Sequence, residues 1–336
     1  MKSVKELKRK KKGKKEREVP LQFVLLLGGL VGVVVCAKIF LNGAVGAAQR
    51  FGIPEFIVGS IIVAIGTSAP ELAINVAASL QSAGDVIASN IVGSNIVNLG
   101  LGIGLAGLLV KYQCPSMAYV KAAVIGLLGT VFLLLVTLMS GPSPEMAVFS
   151  RSIAIVLFAG FIGFTVWTLR NPDCEDDEED LSDISQSMSI IIPCLIVGAL
   201  GMSLFANITV TNAVGVATTL GIPDVVIGAT IIAAGGSLPE VISCIEAARM
   251  KRSNIVIGNI VGSQVFNIFG ILGVSGLVAS FEYSRGIAID IGFLLVMTLI
   301  WLASFMLAPV RRVVGPALLG TYLMYACYLV WLVLAG

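Results

Sequence analysis

Glu71 and Glu240 are the residues of this 336-residue chain whose type and placement most demand a chemical explanation. Each lies about 17 residues into an apolar segment, beginning at Pro54 or Pro223, with a proline directly before it, Pro70 or Pro239. An ionised carboxylate at the middle of a bilayer costs about 2.5 to 3.5 kcal/mol even on lenient insertion scales, so such an acid marks a function by default. Two at matched positions sharpen the point. Facing each other they would repel and take up protons, and a divalent cation between them would remove both costs.

The prolines shape the surroundings. Proline has no N–H, and its ring clashes with the carbonyl four residues back, here that of Gly66 or Gly235. The helix must therefore break within Gly-Thr-Ser-Ala-Pro-Glu and Gly-Gly-Ser-Leu-Pro-Glu. Backbone freed at membrane depth persists only where protein or a polar cavity satisfies it. Carbonyl and hydroxyl oxygens are the hard ligands that Ca2+ and Na+ prefer, and Thr67, Ser68 and Ser237 supply hydroxyls. A proline kink with polar side chains bonded back to it would account for everything here except the glutamates.

On the following helix of each half, Ser94 with Asn98 and Ser263 with Asn267 are spaced i, i+4 and share a helix face. Their oxygens can ligate a cation without adding charge. Taken singly the pattern also suits polar glue between membrane helices, and its duplication beside the glutamates makes it more specific. Other acids read as structural: Glu55 and Asp224 suit the dipole at helix starts, and Glu246 is expected to snorkel beside Arg249.

These residues need membrane helices to position them. With 57% hydrophobic and 12% charged residues and a mean hydropathy of +0.98, the chain is too apolar for an ordinary soluble domain. Windows of about 20 apolar residues, the length a spanning helix requires, begin near Leu21, Pro54, Val86, Met117, Ala147, Ser189, Pro223, Ile255, Gly286 and Val313. The expected fold is an all-α membrane protein with ten transmembrane helices.

An internal repeat organises them. Phe51–Leu72 matches Leu220–Val241 at an offset of 169, and the same offset pairs Asn90–Ser94 with Asn259–Ser263, Asn98 with Asn267, Gly29 with Gly198 and Gly32 with Gly201. The expected organisation is a basic tail over 1–19, a first five-helix repeat over 20–170 with its motif at 59–98, an acidic linker over 171–188, and a second repeat over 189–336 with its motif at 228–267. Five helices per half is odd, so the second copy enters from the opposite side and the repeats are inverted. Such repeats place substrate near the bilayer midplane on broken helices.

Charge bears on orientation and partners. Ten of the 22 Lys and Arg residues lie between Lys2 and Arg17, a run that suits anionic lipid headgroups better than nucleic acid. Eight acids between Asp173 and Asp183 make the linker a solvated loop. Loops after odd-numbered helices carry Arg50, Lys111, Lys121, Arg170, Arg249, Lys251, Arg252, Arg311 and Arg312; the opposite loops carry Arg151 and Arg285. The positive-inside rule then puts the linker in the cytosol and both termini outside, against the vote of the basic tail. The six cysteines show no framework spacing, and with no histidine the chain lacks triad chemistry and imidazole metal sites. An enzyme is therefore not expected, nor a resident cofactor.

The two Pro-Glu motifs, each followed by a Gly-Asn-Ile-Val-Gly-Ser-like segment, resemble the alpha repeats of the sodium/calcium exchanger family, and the resemblance covers nearly the whole chain. It implies ten helices, electrogenic exchange of Na+ for Ca2+ across the plasma membrane, and alternating access by two peripheral helices sliding against a core. By resemblance Glu71 and Glu240 are the main Ca2+ ligands, shared with Na+. Thr67, Ser68, Ser237, Ser94, Ser263, Asn98 and the carbonyls of Ala64 and Ala233 correspond to further ligands. Gly236 stands where Thr is common, Gln264 where Asn is usual, and Asn267 where some members have an Asp associated with K+ transport, which implies K+ independence. A proton/Ca2+ antiporter is the nearest alternative; a Ca2+ channel is a further one.

Overall fold

The structure, a computed structural model, describes residues 2–109, 117–141, 145–171, 187–222, 227, 231 and 233–335. The acidic run of the linker, Asp224, Cys114 and Cys174 lie outside them. Helix α1 (Lys2–Phe51) has its apolar span at Pro20–Phe51. It is followed by α2 (Glu55–Thr67), α3 (Ala69–Leu80), α4 (Gly84–Leu109), α5 (Met117–Met139), β1 (Met146–Phe149), α6 (Arg151–Arg170) and α7 (Met188–Thr219). After a single turn at Ala233–Gly235 come α8 (Leu238–Arg249), α9 (Ser253–Val278), β2 (Phe281–Ser284), α10 (Arg285–Met306) and α11 (Ala308–Ala335).

Among the described residues eight helices are long and apolar enough to cross a membrane, or nine if the bent pair α2–α3 is one span. The expected tenth, beginning at Pro223, has its first part largely on residues that are not described and continues in the turn Ala233–Gly235 and α8. Polar caps mark several starts: Ser150 accepts from the Ile153 amide ahead of α6, and Ser187 from Ser189 ahead of α7.

Burial divides the helices into centre and rim. The most apolar window of α9 is 94% buried and that of α4 is 72% buried, whereas α1 and α7 bury only 33% and 17% and present the rest to lipid. The two rim helices pack on each other through glycines. Gly29, Gly32 and Gly43 of α1 face Thr209, Phe205 and Cys194; Gly198 and Gly201 of α7 face Phe40 and Cys36. Positions rise along α1 as they fall along α7, so these offset-matched helices run antiparallel. Small residues let helices approach closely where lipid removes any hydrophobic drive to pair.

On one face the otherwise helical chain forms an antiparallel strand pair that the hydropathy windows did not foresee, with Met146 opposite Ser284 and Phe149 opposite Phe281. Period-two burial creates it: Phe281 and Tyr283 point inward, Glu282 and Ser284 outward. The rings of Phe149 and Phe281 stack at 4.9 Å, and the Tyr283 and Thr137 hydroxyls are 3.0 Å apart. Burial pushes the Tyr283 hydroxyl above its ordinary pKa. Asp85 Oδ1 accepts from the Ser284 amide at 2.6 Å, and the Arg285 guanidinium donates to the Ser140 carbonyl at 2.8 Å.

Ion pairs tie the other face. Arg252 donates to Glu55 Oε1 at 2.8 Å, joining the loop after α8 to the start of α2. Glu246 does not snorkel as expected: it is 1% exposed, with Arg249 at 2.9 Å and Lys38 of α1 at 3.7 Å. Its carboxylate stays buried and the long basic side chains reach in to it.

Candidate ion-binding site

The site starts from the two breaks. α2 and α3 bend by 49° at Ser68, which has φ −87° and ψ 10°; Ser237 repeats that geometry with φ −92° and ψ 14°. Pro70 and Pro239 fall in the first turn of α3 and α8, where a missing N–H does no harm. Glu71 and Glu240 therefore stand in the first turn of their helices, where the backbone dipole favours an anion. Gly66 and Gly235 have a second role that the proline argument missed. A Cβ on Gly66 would run into the Phe40 ring of α1, and one on Gly235 into Val210 of α7, so each rim helix crosses a break at its glycine.

The oxygens around the breaks fall into two groups. Ser68 Oγ donates to Glu240 Oε1 at 2.7 Å and lies 3.5 Å from Ser263 Oγ, so the first break reaches across to the glutamate of the second. Thr67 Oγ1 is bonded back to the Val63 carbonyl at 3.0 Å and lies 3.3 Å from the Ala64 carbonyl and 3.4 Å from Asn259 Oδ1. The Ala64 carbonyl also accepts the Ser68 amide at 3.1 Å. The second group is buried and, among the described residues, without a close hydrogen-bond partner: both carboxylate oxygens of Glu71, Oε2 of Glu240, Oγ of Ser237, which lies beside Glu71, and Oδ1 of Asn98 and Asn267.

Side chains behind this group orient it. Asn75 donates to the Glu71 carbonyl at 2.7 Å. Asn259 accepts from Ser263 at 3.4 Å and donates to Cys244 Sγ at 3.3 Å, and Asn267 Nδ2 donates to Asn95 Oδ1 at 3.2 Å. The two amides foreseen at the site fall within π-helical segments, Asn98–Ile103 in α4 and Phe266–Ile271 in α9. Each segment offsets the hydrogen-bond ladder by a residue, a distortion frequent at functional sites. No apolar periodicity announced it, and neither did it announce Asn75, Asn95 or Asn259.

A cavity of ≈ 890 Å³ leads from the second break outward. Its inner lining includes Gly235, Pro239 and Ser94; its outer lining includes Val86 and Asp290, at the ends of α4 and α10 beside the strand pair. On the opposite side α2 closes the way, with Gly59 set against the backbone of α9, and Gly258 and Gly262 against that of α2. The structure thus brings Glu71, Glu240, Thr67, Ser68, Ser237, Ser94, Ser263, Asn98 and Asn267 to the buried centre of the chain. Ala233 opens the turn that carries the second break.

Comparison with known proteins follows the same lines. The family model described as sodium/calcium exchanger protein matches residues 21–170 and 190–331. The sodium/calcium exchanger MaX1 of Methanosarcina acetivorans is 30% identical over 77% of this chain and 83% of its own length. The inner membrane protein YrbG of Escherichia coli is 31% identical over 93% of this chain and 98% of its own. The structure is similar to that of the sodium-calcium exchanger NCX_Mj soaked with Na+ and Sr2+, with a TM-score of 0.77 at 28% identity, covering 91% of this chain and 98% of that one.

Proposed function

The chain belongs to the sodium/calcium exchanger family, and on that premise we propose that it is an electrogenic, K+-independent antiporter of Na+ and Ca2+. It is a multi-pass integral membrane protein of the cation/Ca2+ exchanger type. Its ions are held between Glu71 and Glu240, with Thr67, Ser68, Ser237, Ser94, Ser263, Asn98, Asn267 and the Ala64 and Ala233 carbonyls as supporting ligands. The helices make two inverted five-helix repeats, ten spans in all, in the plasma membrane, and the chain is not an enzyme.

The observation that carries this reading is the set of unpartnered buried oxygens on Glu71, Glu240, Ser237, Asn98 and Asn267. Leaving such a group unsatisfied costs roughly 1 to 3 kcal/mol, more when it is charged. A cation satisfies several at once. All are oxygens, the donors of hard ions such as Na+ and Ca2+. Among the described residues no group of three His, Cys, Asp or Glu side chains could hold a metal. Two charges completed by neutral oxygens suit an ion that must leave again.

In the proposed cycle either Ca2+ or several Na+ ions compensate the two carboxylates, and only the compensated site crosses. Net charge moved would respond to voltage by about 2.3 kcal/mol per elementary charge per 100 mV. Among the described residues beyond the basic tail, Arg50, Lys121, Arg170, Arg249, Lys251 and Arg252 lie at one membrane face and Arg151 and Arg285 at the other, the face from which α1 and its basic tail begin. Counted on the loop charges and against the vote of the basic tail, the positive-inside rule makes the cavity open outward.

Proton-coupled Ca2+ antiport is the second reading, favoured by the complete burial of two carboxylates, Glu71 and Glu240, that protons could neutralise in place of a cation. Radiolabelled Ca2+ uptake into proteoliposomes loaded with Na+, against K+ or choline and against an imposed pH gradient, separates the two. Uptake that needs internal Na+ supports the proposal. Uptake driven only by the pH gradient replaces it with the proton-coupled reading, and uptake needing neither gradient points to a channel.

A further inference from the structure

At the centre of the molecule the two repeats place matched amides that are held differently. Asn98 and Asn267 correspond at the offset of 169, as do the residues three positions before them, Asn95 and Gln264. In one pair the bond is made: Asn267 Nδ2 donates to Asn95 Oδ1 at 3.2 Å, which fixes the amide and leaves Oδ1 of Asn267 as its unpartnered atom. The corresponding bond from Asn98 to Gln264 is absent. Asn98 is 1% exposed, yet among the described residues neither its Oδ1 nor its Nδ2 has a partner.

Gln264 is occupied elsewhere. Its Nε2 donates to Thr298 Oγ1 of α10 at 2.9 Å and approaches Thr130 Oγ1 of α5 at 3.4 Å. Both hydroxyl protons are already spent, on the Leu294 carbonyl at 2.8 Å and the Gly126 carbonyl at 3.0 Å, so only an amide NH2 can face them. That fixes the flip of the Gln264 amide. Its Oε1 is buried and unpartnered, above Gly126, where a Cβ would come within 2.9 Å of it.

We propose that Gln264 is a positioning residue for the ion site, acting through Asn98: by committing its amide to Thr298 and Thr130 it leaves Asn98 free to rotate. One ligand amide is then preset and the other adjusts, which suits a site that takes one divalent ion or several monovalent ones. The inference rests on the exchange reading for that purpose, though not for its test. An asparagine at 264 is a methylene shorter, cannot reach both hydroxyls, and supplies Asn98 with the partner that Asn95 supplies to Asn267. Presetting Asn98 tightens binding by cutting the ordering cost.

The test is equilibrium binding of radiolabelled Ca2+ to the purified full-length protein, which needs no ion gradient. Gln264→Asn should lower the half-saturating Ca2+ concentration roughly 3- to 10-fold, the range of one net hydrogen bond. Thr298→Val, which removes the competing acceptor and keeps the glutamine, should move it the same way by less, and serves if the first variant does not fold. In an Asn98→Ala background both substitutions should have no effect. An unchanged half-saturation with intact Asn98, or an equal shift with and without Asn98, overturns the proposal. Wild-type uptake that ignores Na+ would sink the exchange reading while leaving this binding cycle interpretable.

Discussion

The contact of α2 with α9 and the facing of α4 with the turn Ala233–Gly235 arise from matched sequence and stand in opposite conditions. In the first, Gly59, Gly258 and Gly262 let two backbones touch, and no room remains for even a methyl group. In the second, Gly93, the offset partner of Gly262, has nothing among the described residues within 4 Å of a would-be Cβ and lines the cavity. Similar residues therefore build a sealed side and an open side at once. Two of the three sealing glycines recur at the offset, Gly59 as Gly228 and Gly262 as Gly93, while Gly258 is matched by Ser89, so the sequence equips the two sides similarly and not identically. In the proposed cycle the two sides exchange conditions, with the backbone groups of each break repacking as discrete alternatives.

The largest expected effect tests what both sides share. Glu71→Gln and Glu240→Gln should each cut Ca2+ binding and uptake at least ~100-fold, since each removes half the charge that compensates a divalent ion in a poorly screened site. Both variants should still fold, because Gln keeps the shape, and at 240 it can still accept the Ser68 hydroxyl. Near-normal uptake by the double variant would refute the site.

Glycine substitutions break the comparison directly. Gly262→Ala forces a Cβ onto the Ser60 backbone and should destabilise this state by roughly 1 to 3 kcal/mol, as overpacking does. Gly93→Ala should leave thermal stability unchanged and slow uptake, since α4 must pack closely when the sides exchange. Equal melting losses for the two variants would mean the sides are not alternatives. Ser68→Ala should weaken folding or Ca2+ binding by about 1.5 to 3 kcal/mol through loss of a bond to a carboxylate. Ser237→Ala, whose hydroxyl lies beside Glu71 without a close bond, should affect folding less than Ser68→Ala and Ca2+ binding by a similar amount. The smallest effect is expected for Arg252→Gln, about 1 kcal/mol or less and fading with salt, because the guanidinium is partly exposed.

The sequence made much of the site legible. Paired intramembrane glutamates, prolines one residue before them and serine–asparagine pairs recur at one offset, and the structure gathers them at its buried centre. Spacing could not show which oxygens would be bonded and which left free, since that depends on contacts across the repeats such as Ser68 with Glu240. The π segments, the buried Glu246 with Lys38, and the strand pair were likewise hidden. Hydropathy windows average over the single-residue shifts and the four-residue alternation that create them.

The strand pair carries one more consequence. It bonds the loop between α5 and α6 to the loop between α9 and α10, welding the halves at one membrane face, and no comparable pair is found at the other face among the described residues. An exchanger built on duplicated halves is therefore not its own mirror image in time. In the proposed cycle the step that opens the welded face and the step that opens the free face are therefore expected to cross barriers of different height. Ion gradients alone would decide where such exchange comes to rest, while the weld would bear on which half of each turnover sets the pace.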